Sequence, residues 1–114
     1  MDATAPSEQR ILRITRTDDP PGLGLAGELD TTRYGVVAQA LADLAEVDGE
    51  LHLDLGGLTF IDLGALRLLA GIGHRRGPRR GLVLDQVAPQ VAGVIAIVGW
   101  GRLPGLVPGT ERTA

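Results

Sequence analysis

The 114-residue sequence contains no cysteine, which excludes disulfides, thiolate metal sites, iron–sulfur clusters and cysteine nucleophiles. Aromatic residues are almost absent, with one Phe, one Tyr and one Trp, so the core must be built from Leu, Val, Ile and Ala. So few rings also argue against a surface that stacks nucleic-acid bases. The net charge of −3 gives no general attraction to nucleic acid either. We therefore expect no nucleic-acid partner.

Long apolar segments are also missing. The longest apolar run, residues 91–100, has about ten residues and is interrupted by Gly93 and Gly99, whereas a membrane-spanning helix needs roughly 20. Residues 1–10 are polar and acidic and lack the basic start and apolar stretch of a signal peptide. These features predict a cytoplasmic protein without membrane insertion.

The composition is that of one globular domain with many loops. Hydrophobic residues make up 44% and charged residues 22%, and there are 17 Gly and 7 Pro. We expect a single domain over residues 9–108, with flexible tails at residues 1–8 and 109–114.

The hydrophobic periodicity predicts the element order ββαβαβα. In the clearest strand, Leu51, Leu53 and Leu55 alternate with His52 and Asp54, so the leucines share one face. A strand buried on both faces would be a continuous apolar run. We therefore predict an α/β fold, a mixed sheet of four to five strands with about three helices on one face. The predicted strands are 11–15, 23–26, 51–55 and 82–84, with a short edge strand at 103–107 that two nearby prolines disfavour. The predicted helices are 31–48, 62–74 and 87–98.

A glycine motif in the second strand spells G-x-G-x-x-G, from Gly22 to Gly27, with Asp48 about 20 residues further on. A dinucleotide fingerprint must lie in the turn after a strand and open a helix. Here Leu23 and Leu25 alternate as in a strand, and the next helix starts only after Asp30. The motif predicts a glycine-rich strand, and no cofactor is expected.

Polar side chains outside this motif give no catalytic or metal site. His52 and Asp54 point the same way from one strand, but no third ligand is evident because His74 lies beyond the second helix. The only serine, Ser7, lies in the expected tail, which leaves no candidate for serine catalysis. The chain is therefore not expected to be an enzyme.

A basic cluster occupies the loop after the second predicted helix. Four arginines on one loop of an acidic protein, with no aromatic residue among them, are typical of a solvated loop. The arginines are Arg75, Arg76, Arg79 and Arg80.

The most informative segment is residues 54–66, where a strand ends and a helix begins. We predict a tight turn over residues 56–61, anchored by Phe60 and Ile61, and Asp62 as the helix N-cap. In the helix that follows, Leu63, Leu66, Leu69 and Ala70 are predicted to face inward. Taken alone, the segment requires nothing more than a capped helix.

Together with the upstream sequence Gly27-Glu28-Leu29-Asp30, this segment resembles the STAS domain of bacterial anti-sigma-factor antagonists. That family has a G-E-L-D-like junction before its first helix and a D-L-S-x-L-x-F-[MI]-D-S-[ST]-G-L run before its second. The corresponding positions here are 27–30 and 54–66, and the resemblance covers about residues 9–107.

One departure from the family pattern concerns its regulatory switch. In the family, the hydroxyl at the third position of D-S-[ST]-G is phosphorylated by an anti-sigma kinase. That position is Gly64 here, the preceding serine is Leu63, and the serine of the strand end is Gly56. Since Gly64 has no hydroxyl, this covalent switch is absent.

The resemblance implies a non-enzymatic regulatory module that binds a protein partner, either an anti-sigma factor of the kinase type or another STAS protein. An STAS-like domain that senses a small ligand or nucleotide, and a degenerate domain that only self-associates, remain as alternatives. The partner-binding residues implied by the motif are Asp30, Asp62, Leu63, Gly64, Ala65, Leu66 and Arg67.

Overall fold

Five strands and three helices alternate along residues 11–109, the part of the chain that this computed structural model describes. The tails expected at both ends lie outside these residues, apart from Gly109. One 3₁₀ turn, Thr31–Arg33, lies directly before the first helix, and another, Trp100–Arg102, follows the third helix. The elements are β1 Arg13–Asp18, β2 Pro21–Leu29, α1 Tyr34–Ala42, β3 Leu51–Ile61, α2 Leu63–Arg76, β4 Leu82–Asp85, α3 Pro89–Val98 and β5 Leu106–Pro108.

The strands form one mixed sheet in the order β1-β2-β3-β4-β5. Strands β1 and β2 pair antiparallel as a hairpin, and the pairs β2–β3, β3–β4 and β4–β5 are parallel. Parallel neighbours need a crossover, and α1, α2 and α3 provide these three connections. The predicted mixed sheet is confirmed, and the edge strand is present as β5.

One face of the sheet and the inner faces of all three helices share a single apolar core. Leu51, Leu53 and Leu55 are fully buried in it, as are inward residues of each helix. On the other side of β3, His52 is partly exposed and Asp54 is exposed. The predicted layer arrangement, with helices on one face, is confirmed.

The boundaries of β3 and α1 differ from the prediction. Residues 56–61 continue β3 instead of forming a turn, because the long strand β2 offers them a partner as far as Leu29 opposite Ile61. Helix α1 ends at Ala42 and not near residue 48, and Leu44 beyond it still packs into the core. Both differences arise from contacts with segments distant in the sequence.

The basic loop is not simply solvated. Arg76 donates through Nη2 to the carbonyl oxygens of Val47 and Gly49 at 3.0 and 2.9 Å, and through Nε to that of Arg80 at 2.6 Å. Arg80 donates to the carbonyls of Ala45 and Val47, both at 3.1 Å. These two side chains hold the connection between α1 and β3, whereas the neighbouring Arg75 and Arg79 are exposed, as expected.

The glycine motif lies within β2, as predicted. Gly22 is opposite His52 in the parallel pair, and a Cβ built on Gly22 would come within 1.8 Å of the His52 carbonyl oxygen. Gly22 therefore allows two strands to approach closely.

Candidate functional site

The two segments that resemble the STAS motifs meet at one edge of the sheet. Strands β2 and β3 run parallel, with Leu29 opposite Ile61, and the backbone N–H of Asp62 donates to the carbonyl of Leu29 at 3.3 Å. The residues that follow the two strands, Asp30 and Asp62, consequently lie at the same edge. Carboxyl ends of parallel strands are where α/β sheets place their functional groups.

Asp62 caps helix α2, as the sequence predicts. Its backbone is extended, and its Oδ1 accepts a hydrogen bond from the backbone N–H of Ala65 at 2.7 Å. The same oxygen accepts a second hydrogen bond, of 2.5 Å, from the hydroxyl of Tyr34. The carboxylate is therefore fixed from two directions, by its own helix and by the start of α1.

Asp30 caps the 3₁₀ turn before α1. Its Oδ1 accepts hydrogen bonds from the backbone N–H of Thr32 at 3.0 Å and from the Thr32 hydroxyl at 2.6 Å. These hydrogen bonds favour the ionised form and lower the pKa of Asp30. A second fixed negative charge thus lies at this edge of the sheet.

Sequence reasoning missed Tyr34. It is half-buried, and the hydrogen bond to Asp62, followed by burial and the negative charges of Asp62 and Asp30, raises its pKa to about 12. No local pattern links it to a carboxylate 28 residues away. The available signal was that it is the only tyrosine in the chain and lies at a predicted helix start beside the motif.

A mixed surface surrounds the start of α2 and is here called the α2 surface: it consists of the exposed Phe60, Leu63, Gly64 and Arg67 and of the partly exposed Asp62. Leu63 is 39% exposed and Phe60 46% exposed. Leu63 was predicted to face inward; it opens the helix directly after β3 ends, where the sheet no longer covers it.

Two of the predicted partner-binding residues have side chains that no partner can reach. Ala65 and Leu66 are fully buried in the core, because the helix turns their side chains toward the sheet. Asp30 lies at the same sheet edge, partly exposed, and Arg67 is exposed on α2.

The hydrogen bond between Tyr34 and Asp62 predicts an alkaline titration. Because the chain has a single tyrosine, phenolate absorbance reports Tyr34 alone. We expect a midpoint of about 12 in the folded protein, against about 10 in the unfolded chain. Since the folded pKa is the higher one, the contact stabilises the fold fully below pH about 10, and this contribution is lost as the pH rises toward 12.

Asp62→Asn tests the cause of that shift. Asparagine still caps a helix but carries no charge, so the fold persists while the midpoint moves down toward about 10. A wild-type midpoint already near 10, or one that Asp62→Asn leaves unchanged, would contradict the contact.

The remaining polar candidates form no metal site. His52 Nδ1 lies 2.7 Å from Asp85 Oδ2, so the histidine pairs with β4 and not with Asp54. Within residues 11–109, no three His, Asp or Glu side chains are grouped so that they could hold a metal ion. Nor does any helix in this range have the length and apolar character needed to cross a membrane.

Comparison with known proteins places this arrangement in a family. The crystal structure of an anti-sigma factor antagonist from Mycobacterium paratuberculosis has the same fold, with a TM-score of 0.66 at 22% identity over 87% of this chain and 86% of that chain. No curated protein matches the sequence significantly. The family model described as "Mlab, STAS domain" matches residues 12–108. Because that match spans nearly all of the described residues, this chain belongs to the STAS domain family.

Proposed function

We propose that this STAS domain is a non-enzymatic regulatory module that binds a protein partner through the α2 surface, in the manner of an anti-sigma-factor antagonist but without a Ser/Thr phosphorylation switch. The observation that carries the proposal is the exposure of Leu63 and Phe60 beside the fixed carboxylate of Asp62. A partner of the anti-sigma kinase type, or a second STAS protein, is the class that the family resemblance suggests.

The chemistry of the α2 surface supports protein binding. Protein interfaces combine a central apolar contact with a polar rim. Here Leu63 and Phe60 supply apolar area, and Asp62 and Arg67 supply charges of opposite sign beside it. Two hydrogen bonds within the domain already hold the carboxylate of Asp62. Its side chain therefore loses little conformational entropy when a partner docks.

The absence of a switch is supported by the hydroxyl groups near the α2 surface. Gly64 has none. Thr59 donates its hydroxyl to the carbonyl of Gly27 at 3.0 Å, and Thr32 donates to Asp30. Phosphorylation of either would break a hydrogen bond that holds the sheet edge, so we expect control to come from the abundance of this protein or from the state of the partner.

A small-ligand function has less support. An open groove of about 430 Å³ lies between α1 and α2 and is lined by Leu68, Ile72 and the arginines at the end of α2. Its innermost charged groups, Arg76 and Arg80, already donate to backbone carbonyls. Arg80 Nε is buried without a hydrogen-bond partner, but a single such group is not a converging polar set that could orient a ligand.

A pair of charge variants tests the proposed interface. Leu63→Glu places a negative charge in the α2 surface, at the first position of a helix, where an acid is tolerated. Ala42→Glu places the same charge at the exposed far end of α1, about 12 Å along the helix axis from Tyr34. Each protein serves as bait in its native cell extract, and retained proteins are quantified by mass spectrometry.

We expect the wild type and Ala42→Glu to retain equal amounts of one partner. The amount retained by Leu63→Glu should be lower by about tenfold or more, which corresponds to roughly 1.4 kcal/mol of binding free energy. Equal retention by all three baits would place the interface elsewhere on the domain. If the retained protein is this chain itself, the self-association alternative is supported instead.

The missing switch has its own test. The purified partner kinase and ATP should leave the intact mass of this protein unchanged. A gain of one phosphoryl group on Thr31, Thr32 or Thr59 would show that the switch has moved to a neighbouring hydroxyl.

A further inference from the structure

We propose that Tyr34 and Gly64 form one interlocked pair, in which the tyrosine hydroxyl occupies the space of a side chain at position 64 and thereby sets the conformation of the α2 surface. The pair joins the start of α1 to the start of α2. Neither residue has this role in isolation, because the glycine leaves the space and the tyrosine fills it.

The steric part of the argument rests on atomic distances. A Cβ built on Gly64 would lie 2.1 Å from the hydroxyl oxygen of Tyr34 and 3.2 Å from its Cζ atom. Real Cβ atoms essentially never approach a heavy atom to within 3.0 Å, so any side chain at position 64 must displace the tyrosine. Glycine at this position therefore leaves room for the tyrosine hydroxyl, which is a consequence beyond the loss of a phosphoacceptor.

The hydrogen bond to Asp62 opposes a movement of the tyrosine ring. Its hydroxyl donates to Asp62 Oδ1 at 2.5 Å, and the same oxygen accepts from Ala65 N–H. Swinging the ring away would leave the carboxylate with one of its two hydrogen bonds and would remove the link to α1. A hydrogen bond to a carboxylate is stronger than one between neutral groups, so the hydroxyl is held in place.

The consequence for binding rests on the function proposed above. With Tyr34 in position, the α2 surface has the tyrosine hydroxyl in the space that a side chain of residue 64 would otherwise occupy. A partner that binds this surface therefore meets the hydroxyl of Tyr34 where a STAS domain with serine or threonine at this position presents that side chain. Partners of STAS domains that carry a hydroxyl at this position should consequently fit this chain poorly.

Glycine-to-alanine variants test the pair in the isolated protein. Gly64→Ala is made in the wild type and in the Tyr34→Leu background, which removes the ring. Gly93→Ala is the matched control, because Gly93 is an exposed helical glycine with no atom within 4 Å of an added Cβ. The measurements are the urea unfolding midpoint and, for the variants that keep the tyrosine, the phenolate titration.

The expected result is an effect that depends on Tyr34. Gly64→Ala should lower the unfolding midpoint in the wild type and shift the phenolate midpoint down toward about 10, the value of a free tyrosine. In the Tyr34→Leu background, Gly64→Ala should no longer lower the unfolding midpoint. Gly93→Ala should raise it slightly in both, since alanine favours a helix.

The proposal would be overturned if Gly64→Ala lowered the urea unfolding midpoint equally in both backgrounds, or if it left the phenolate midpoint unchanged. If Tyr34→Leu does not fold, Tyr34→Phe replaces it: removal of the hydroxyl alone should reduce the loss caused by Gly64→Ala, and an undiminished loss would overturn the proposal. These measurements need no partner. They therefore test the Tyr34–Gly64 pair independently of the proposed function, which is tested by the retention of a partner on the Leu63→Glu bait.

Discussion

Replacing Leu53 by alanine is expected to lower the free energy of unfolding by about 2–5 kcal/mol, the range seen for buried leucines. Leu53 is fully buried in β3, the central strand of the sheet, between Leu23 of β2 and Leu84 of β4. Truncation removes apolar contacts and leaves a cavity that strands on both sides prevent from closing. Urea unfolding at neutral pH measures the loss, which is a large share of the roughly 5–15 kcal/mol of a small domain.

Leu63→Ala is the matched control for this experiment. It removes the same atoms from a leucine that is 39% exposed at the start of α2. We expect a loss below about 1 kcal/mol, because little apolar area returns to water. Similar losses for the two variants would mean that the core does not lie under this face of the sheet.

Replacing Arg76 by alanine is expected to cost about 2–3 kcal/mol, since hydrogen bonds from charged donors contribute about 1.5–3 kcal/mol each and water recovers part of the loss. The guanidinium donates to three backbone carbonyls within 3.0 Å, those of Val47, Gly49 and Arg80. Without it, the segment between α1 and β3 loses its attachment to α2. Hydrogen exchange should show increased opening of residues 43–50.

Arg75→Ala provides the comparison for Arg76. Arg75 is adjacent in the sequence, carries the same charge, lies in the last turn of the same helix and is exposed. Its replacement should change stability by no more than about 0.5 kcal/mol, as for ordinary surface positions. If both variants lose the same stability, the effect comes from the helix dipole and not from the carbonyl contacts.

The local features of this fold follow from residues close together in the sequence. The alternation of Leu51, His52 and Leu53 identified a strand with one buried face, because side chains of a strand point to opposite faces in turn. Asp62 was identified as an N-cap because a carboxylate before a helix accepts a hydrogen bond from its first free N–H groups. Glycine at position 64 excluded phosphorylation there by chemistry alone.

The length of β3 depended on a partner strand. Residues 56–61 contain two glycines and resemble a turn, yet they continue β3 as far as Ile61 because β2 runs parallel to them up to Leu29. Backbone groups that are satisfied by a distant strand carry no mark in the local sequence.

The long-range contacts within and around the candidate site were decided by tertiary structure. Tyr34 meets Asp62 and Gly64 across 28 and 30 residues, and Arg76 reaches Val47 across 29. In the sequence, Arg76 is indistinguishable from the three other arginines of its loop, and Gly64 is notable only because it lacks the hydroxyl found at this position in the family. Only the tertiary structure shows that two of these arginines, Arg76 and Arg80, hold a loop and that the glycine makes room for a tyrosine. The physical reason is that periodicity and capping act between near neighbours, whereas shared space and long-range hydrogen bonds exist only once the helices have packed.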